Sequence, residues 1–301
     1  MLIDDLNELT SERQLDPGTE ANYRRSIRNY SLFIGHSAER ADLSEPLVND
    51  WLKHLEASYK PRTVVGHKRG ITVLWNWLAQ RNAVTHYNPN RLRKIRVPRK
   101  PPVAWSVTNV VALLQAANQL TGTLKCGLKV SELMNAWVSV AYETGLRPKD
   151  MMLMKHSSIV GNHVFIVQNK TQQPHICTLS PSTLAAVGRL KREGCEFVFG
   201  LPKSTMRKYE LRLFELAETF GFSKQKGQSV GTLRKTHGTE VARTHGLQAA
   251  AQALGHISGT QIARDHYVQP DALALPPTPP EIDYGQLGST GTGTNNQPAA
   301  G

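Results

Sequence analysis

Two short runs in this chain carry the β-branched and aromatic residues that are typical of strands, and a polar segment joins them. The runs are residues 164–167 and 175–179, and the joining segment is 168–174. This arrangement predicts one small β-hairpin. Elsewhere the apolar residues recur at helical spacing, as Tyr23 and Ile27 do near the N-terminus. The chain is therefore predicted to be mainly α with a single small β-element.

Length and composition indicate a globular protein with room for two domains. The chain has 301 residues, of which 40% are hydrophobic and 20% charged. No run approaches the roughly 20 apolar residues of a membrane helix, and residues 1–15 do not have the pattern of a signal peptide. Cys126, Cys177 and Cys195 form no Cys-x-x-Cys pair, so neither a disulfide framework nor a zinc site is predicted. We expect a cytoplasmic protein.

The helical pattern divides the chain in two. In the first part Thr19 is placed to cap one helix and Ser44 another, and a third covers about residues 62–78. Gly66 and Gly70 weaken that third helix unless another helix or a DNA backbone approaches closely there. The predicted organisation is a helical domain, a basic proline-rich linker, a second domain that contains the hairpin, and a disordered tail, at residues 1–90, 91–104, 105–275 and 276–301 respectively.

Positive charge is concentrated before and within the linker. The net charge is +12, and residues 60–100 contain no Asp or Glu. A single-sign block of this length favours contact with a polyanion over a merely solvated surface, although charge alone does not separate DNA from RNA or anionic lipid. The basic residues predicted to contact DNA are Lys60, Arg62, Lys68, Arg69, Arg91, Arg93, Lys94, Arg96, Arg99 and Lys100.

Five residues in the second half form an ordered series with the chemistry of phosphodiester attack. They are Arg147, Lys170, Arg234, His256 and Tyr267. Guanidinium groups are planar, permanently charged and able to bond two phosphate oxygens at once. A tyrosine can act as the nucleophile, and a lysine or histidine can transfer protons. Taken singly, each has an ordinary alternative: surface ion pairs, a solvated turn lysine, a histidine that ends a helix, or a packed tyrosine.

These residues lie in motifs that resemble those of the tyrosine recombinases, the phage-integrase class of site-specific DNA recombinases. The resemblance covers about residues 15–270. The motifs are Thr144-Gly145-Leu146-Arg147 with Asp150, Asn169-Lys170-Thr171, Leu233-Arg234-Lys235-Thr236, Leu254-Gly255-His256, and Tyr267. The first domain resembles the family's helical, SAM-like core-binding domain, and the second its α+β catalytic domain.

The resemblance implies that the chain cuts and rejoins DNA through a 3′-phosphotyrosyl intermediate on Tyr267, without metal, ATP or another cofactor. Arg147 and Arg234 would hold the phosphate, Lys170 would protonate the leaving oxygen, His256 would assist, and Asp150 would support an arginine. Implied partners are double-stranded DNA, a homotetramer on paired sites and an accessory DNA-bending protein, with no membrane. A phage or mobile element acting in a bacterial cytoplasm, at the nucleoid, is the expected setting.

Gly231 departs from the family's pattern, which usually has histidine or lysine three residues before the second arginine. Glycine cannot transfer a proton, so His237, His266 or water would have to replace that group, and reduced or altered activity is expected. Two alternatives stay open: a catalytically impaired DNA-binding relative, and a topoisomerase of the type IB kind. The spacing of His237, His245, His256 and His266 does not match a zinc site.

Overall fold

A computed structural model describes residues 1–256 and 259–273, which form mainly helices and one three-stranded antiparallel sheet. The predicted fold class is therefore confirmed. Two compact units divide the chain, Met1–Lys100 and Pro101–Gly301. Residues 276–301, predicted to be a disordered tail, lie outside the described residues. Within the described ranges, no helix combines the length and apolar character needed to cross a membrane.

The first unit is built from four helices. Asp16, not Thr19, caps the second of them, because its carboxylate accepts a hydrogen bond from the backbone N–H of Gly18 at 2.8 Å. The first helix was not predicted, since its buried stripe includes an acidic residue, Asp5, which pairs with Arg40 at 2.6 Å. The helices are α1 (Leu2–Arg13), α2 (Pro17–Ile34), α3 (Glu45–Ser58) and α4 (Pro61–Gln80).

Aromatic side chains fill the centre of the first unit. Tyr30 and Trp51 meet edge to face with ring centroids 5.1 Å apart. The indole N–H of Trp51 donates to Asn29 Oδ1 at 2.8 Å, so its burial leaves no donor unpaired. On α4, Gly70 lies against Ser26 of α2, where a Cβ would be 2.5 Å from the Ser26 hydroxyl oxygen. The close approach predicted at this glycine is therefore made by a helix.

Residues just beyond position 90 pack onto this unit. Leu92 is buried in its core, and the Asn49 side chain bonds the backbone on both sides of it, at Arg91 and Arg93. The first unit consequently extends ten residues past the end predicted for the first domain, because an apolar side chain anchors the start of the proline-rich segment. How the chain divides by function stays a prediction.

In the described part of the second unit, seven α-helices combine with the sheet. Three strands pair antiparallel in the order β1-β2-β3, with Val164 opposite Cys177 and Ile166 opposite His175 on the inner face. The helices are α5 (Val107–Gln119), α6 (Val130–Thr144), α7 (Pro148–Met152), α8 (Pro181–Gly188), α9 (Lys203–Glu218), α10 (Thr232–Ala253) and α11 (Gln261–His266). The strands are β1 (Ile159–Val160), β2 (His163–Val167) and β3 (Pro174–Thr178).

Two glycines set the course of the chain near the hairpin. Gly145 ends α6 in the left-handed conformation, with φ 60°, and α7 starts three residues later. Gly246 has φ 83° and ψ 170°, which breaks α10 into two helical parts. The sequence predicts two separate helices here, at 232–244 and 247–254, and the break lies between them. Both turns bring helix ends to the hairpin, where Gln168 and His175 are buried.

We predict opposite effects on stability from alanine at the two glycines of α4. Gly70→Ala should destabilise the protein by about 1–3 kcal/mol, because the new Cβ would overlap Ser26 of α2. Gly66→Ala should stabilise it by roughly 0.5–1 kcal/mol, since a Cβ there would have no atom within 4 Å and alanine restricts the unfolded chain. Urea unfolding of both variants measures the difference; shifts of the same sign would contradict it.

Candidate active site

Arg147 stands at the start of α7, directly after the Gly145 turn. Its Nη1 donates to Gln168 Oε1 at 2.8 Å and lies 3.7 Å from Asp150 Oδ2. The side chain is partly buried, with 18% exposed. Because Gln168 is neutral and the Asp150 contact is long, these two neighbours do little to neutralise the guanidinium. Its positive charge can therefore attract an anionic ligand.

Asp150 is almost fully buried and connects α7 to the hairpin. Its Oδ1 accepts a hydrogen bond from the backbone N–H of Asn169 at 2.8 Å. Its other oxygen has no hydrogen-bond partner in the described part of the chain. The carboxylate therefore fixes the hairpin turn beside Arg147, and the support of an arginine predicted for it stays a prediction.

Arg234 lies in the first turn of α10 and is 3% exposed. Its Nη1 donates to the carbonyl of Gly145 and its Nη2 to the carbonyl of Leu254, both at 2.6 Å. Burial, and then the charge of Arg147, lower the pKa of this guanidinium. Two backbone carbonyls from separate segments thus hold one buried cation in a fixed orientation.

Tyr267 follows α11 and covers Arg234, whose Cζ lies 4.8 Å from the centre of its ring. Burial by itself raises the pKa of the Tyr267 phenol. The charge of Arg234 acts in the opposite direction, as do the charges of Arg147 and Lys170. Their sum leaves the pKa below its usual value, so the phenolate forms more readily here than in water.

His256 is the next neighbour of Tyr267, with ring centroids 5.2 Å apart. Burial lowers the pKa of His256 to about 4, helped by the charges of Arg234 and Arg147. The imidazole is accordingly neutral at pH 7, when it carries one N–H that can donate to an anion. Its Nε2 is buried without a hydrogen-bond partner among the described residues.

Lys170 is exposed in the turn between β2 and β3. It stands near enough to Tyr267 for its charge to affect the phenol. All five residues predicted to carry the chemistry are therefore brought to one site, four of them from helix ends and one from the hairpin. The roles predicted for them stay untested.

Comparison with known proteins gives the fold. No known family model matches the chain. A lambda integrase tetramer bound to a Holliday junction superposes with a TM-score of 0.68 at 16% identity, covering 86% of this chain and 77% of its own. The Tn1549 transposon integrase, in complex with a circular intermediate DNA, gives a TM-score of 0.68 at 13% identity, covering 89% and 95%.

The chain has the tyrosine recombinase fold. In sequence it is similar to the tyrosine recombinase XerD of Rickettsia bellii, with 24% identity over 164 residues. That match covers 53% of this chain and about half, 51%, of the relative.

Gly231 immediately precedes α10, at the position where the family that the sequence resembles usually has histidine or lysine. Its backbone is right-handed helical, and a Cβ would make ordinary contacts, at 3.5 Å from Ser229 Oγ and 3.7 Å from Pro148. Of the suggested substitutes, His237 packs against Gly145 and its Nδ1 lies 2.8 Å from the Tyr142 carbonyl, so that nitrogen is committed to the protein. His266 is exposed, and its charge reaches His256.

Two buried side chains of the site were not predicted. Gln168 is fully buried and accepts the hydrogen bond from Arg147, and His175 is 8% exposed beside Gly255. The alternation of β2 could have identified Gln168, because it continues the inward positions of Val164 and Ile166 past the end of the strand. The sequence prediction instead placed Gln168 in the polar turn that joins the two strands.

The ten basic residues predicted to contact DNA all lie in the first unit, and nine are exposed. Lys68 is partly buried and donates to the carbonyl of Arg93 at 2.7 Å. Arg93 also pairs with Glu56 of α3 at 2.5 Å, and Arg91 lies 3.7 Å from Glu45. Two of the ten cations thus have carboxylate partners from outside residues 60–100. For the other eight, no acidic group lies within 4 Å in the described ranges.

We predict that His256 makes the protein less stable in mild acid. Its pKa is about 4 in the folded chain, below the ordinary value near 6.5, so the unfolded chain binds the proton first. Stability from this group is complete above pH ~6.5 and is lost as pH falls toward 4. His256→Gln should flatten the fall of the urea midpoint between pH 7 and 4.

The matched control is His86→Gln, an exposed histidine of the first unit. It should leave the pH dependence of the wild type unchanged. Equal slopes in the wild type and the His256 variant would contradict the prediction. The urea midpoint of the His256 variant should still fall somewhat with pH, because burial also lowers the pKa of His175 and His237.

Proposed function

We propose that this chain is a site-specific DNA recombinase, which cuts a DNA strand and rejoins it through a covalent 3′-phosphotyrosyl intermediate. The observation that carries the proposal is the placement of Tyr267 against Arg234, with Arg147, His256 and Lys170 around it. A phenol surrounded by fixed cations suits attack on an anionic phosphodiester. The fold shared with lambda integrase and the Tn1549 integrase supports this reading.

The two arginines would bind the scissile phosphate. Attack on phosphorus builds charge on the non-bridging oxygens, and Arg147 and Arg234 can donate to them. Arg234 needs little reorganisation, because two carbonyls already orient it. Removal of a comparable fixed donor in other enzymes costs about 3–4 kcal/mol of transition-state stabilisation.

The chemical step would form one bond and break another at the same phosphorus. The Tyr267 oxygen, its proton given to water, bonds to phosphorus as the bond from phosphorus to the 5′ oxygen breaks. Lys170 gives a proton to that leaving oxygen. His256, neutral at pH 7, donates its N–H to a phosphate oxygen. Reversal with another strand's 5′ hydroxyl rejoins the DNA, so the covalent bond conserves the energy and no ATP is needed.

Duplex DNA is the proposed partner. The exposed cations of residues 60–100 would contact its phosphates, with the first unit acting as the core-binding domain and the second as the catalytic domain. One chain supplies one Tyr267, and two duplexes have four strands, so a homotetramer on paired sites is the proposed assembly. The lambda integrase tetramer on a Holliday junction supports this stoichiometry. A DNA-bending accessory protein and a place at the nucleoid complete the proposal.

Gly231 favours a second candidate, a relative that binds DNA but cleaves it slowly. The position carries no side chain, and the Nδ1 of His237 is committed to Tyr142. Such a protein would keep the phosphate-binding arginines and lose part of the proton transfer. A topoisomerase would perform the same cleavage without joining different sites.

We predict that a nicked suicide DNA will trap the wild-type protein as a covalent adduct, and that Tyr267→Phe will form none. The phenol oxygen is the proposed nucleophile, and phenylalanine keeps the ring that packs on Arg234. Denaturing gels with labelled DNA measure the adduct. The control is Tyr209→Phe, which alters a partly buried tyrosine of the same unit and should still form the adduct.

An adduct that survives Tyr267→Phe would contradict the assignment of the nucleophile. No adduct from the wild type on any recombination site offered would favour the slow or inactive relative. Joining of two distinct DNA molecules, as opposed to relaxation of a supercoiled plasmid, separates the recombinase from the topoisomerase.

We predict that Gly231→His will raise the rate of adduct formation, by about 10-fold or more. General acid–base groups typically contribute at least 10²-fold, and part of this is expected to be missing at Gly231. The backbone there accepts an L residue, and a Cβ makes no contact closer than 3.5 Å. Single-turnover cleavage of the suicide DNA measures the rate. Gly231→Ala is the matched control and should give no gain; equal rates in the two variants would show that the role is filled elsewhere.

A further inference from the structure

We propose that Gln168 is the positioning residue of this site, which holds both arginines and the turn that carries Lys170 in one geometry. The inference rests on the proposed recombinase function and adds to it a residue outside the motifs of the second domain. Gln168 is fully buried at the end of β2, where a polar side chain requires hydrogen-bond partners. Those partners are the parts of the site themselves.

The acceptor side of the amide binds the first arginine and the turn. Gln168 Oε1 accepts from Arg147 Nη1 at 2.8 Å and from the Thr171 hydroxyl at 3.1 Å. The backbone closes the same turn: Gln168 N–H donates to the Gln173 carbonyl at 2.9 Å, and Gln172 N–H to the Gln168 carbonyl at 2.8 Å. Lys170 lies inside this closed turn.

The donor side of the amide reaches the second arginine through one carbonyl. Gln168 Nε2 donates to the Leu254 carbonyl at 3.3 Å, and the same oxygen accepts from Arg234 Nη2 at 2.6 Å. A single side chain therefore bonds Arg147 directly and shares an acceptor with Arg234. The shared carbonyl ends the helix that leads to His256.

The glycine after Leu254 leaves the space that this amide occupies. Gly255 has φ 66°, and a Cβ there would lie 2.3 Å from Gln168 Nε2. Any larger residue would push the amide away from the Leu254 carbonyl. The Leu254-Gly255-His256 motif thus contributes an empty volume as well as a histidine.

An amide suits this position better than other side chains of similar length. It offers an acceptor and a donor at once, and it is uncharged. Glutamate would lose the donor and place a negative charge on Arg147, which would compete with the phosphate. Methionine would lose both, and Arg147 would then turn toward Asp150, at present 3.7 Å away.

The test compares Gln168→Met with the wild type, Arg147→Ala and the double variant. The first readout is the ionisation of Tyr267, followed by phenolate absorbance and corrected with Tyr267→Phe, in the absence of DNA. Arg147 helps to lower the pKa of Tyr267, so that pKa should rise in Gln168→Met and in Arg147→Ala. The double variant should raise the pKa by less than the sum of the two single changes, because part of the effect of the glutamine passes through Arg147.

The second readout is single-turnover cleavage of the suicide DNA. Gln168→Met should slow adduct formation by about 10- to 100-fold, as a small misplacement of a binding group does, with DNA affinity and thermal midpoint little changed. Gln173→Met, an exposed glutamine of the same turn, should behave as the wild type. Gln168→Glu keeps the acceptor and the size, so it tests the idea even if Gln168→Met fails to fold; it should raise the pKa of Tyr267 and slow cleavage.

An unchanged pKa of Tyr267 in the folded Gln168 variants would overturn the proposal. An effect of Gln168→Met that adds in full to that of Arg147→Ala would also overturn it, since a purely structural role predicts independence. If the wild type forms no adduct while the titrations behave as expected, the proposed function fails and the positioning role stands.

Discussion

The buried guanidinium of Arg234 is the interaction on which the second unit's site depends. A cation that is 3% exposed needs acceptors for its donors, and here the carbonyls of Gly145 and Leu254 accept from its two Nη atoms at 2.6 Å. Its Nε has no hydrogen-bond partner among the described residues. Gly145 ends the helix before Arg147, and Leu254 ends the helix before His256. The arginine consequently ties together the two chain segments that deliver the other groups, and its face supports the Tyr267 ring.

The site carries an excess of positive charge. The charges of Arg147, Arg234 and Lys170 all act on Tyr267, whereas the Asp150 carboxylate is hydrogen-bonded to the backbone of Asn169. The excess positive charge lowers the pKa of Tyr267 against the effect of burial. Burial, and then the same charges, lower the pKa of His256 and keep it neutral at pH 7. The uncompensated positive charge favours the binding of an anion, because a bound phosphate would reduce the repulsion among the cations. The same imbalance opposes folding, and the hydrogen bonds of Gln168 and the two carbonyls offset part of that cost.

The sequence was informative wherever local chemistry decides structure. The hairpin and the motifs that contain Arg147, Arg234 and Tyr267 could be recognised from the sequence, since strand runs, turns and short motifs are local. Helix α1 could not, because its buried Asp5 needs Arg40 from a distant segment. Thr19 was predicted as the cap of α2, but Asp16 is the cap. Both side chains have an oxygen that can accept a hydrogen bond, and the sequence alone did not decide between them. Gln168 was missed since its partners, Arg147 and the Leu254 carbonyl, lie far away in the chain.

Arg91 pairs with Glu45 and Arg93 with Glu56, and these two pairs change how strongly DNA affinity should depend on salt concentration. A cation that already has a carboxylate neighbour holds a smaller share of the mobile ions around the protein. Contact with a phosphate there exchanges one anion for another and displaces few small ions from the surroundings. The slope of DNA affinity against salt concentration would therefore indicate fewer phosphate contacts than the ten basic residues predicted to make them. The difference comes from Arg91 and Arg93, whose charges are already partly neutralised by carboxylates of α3.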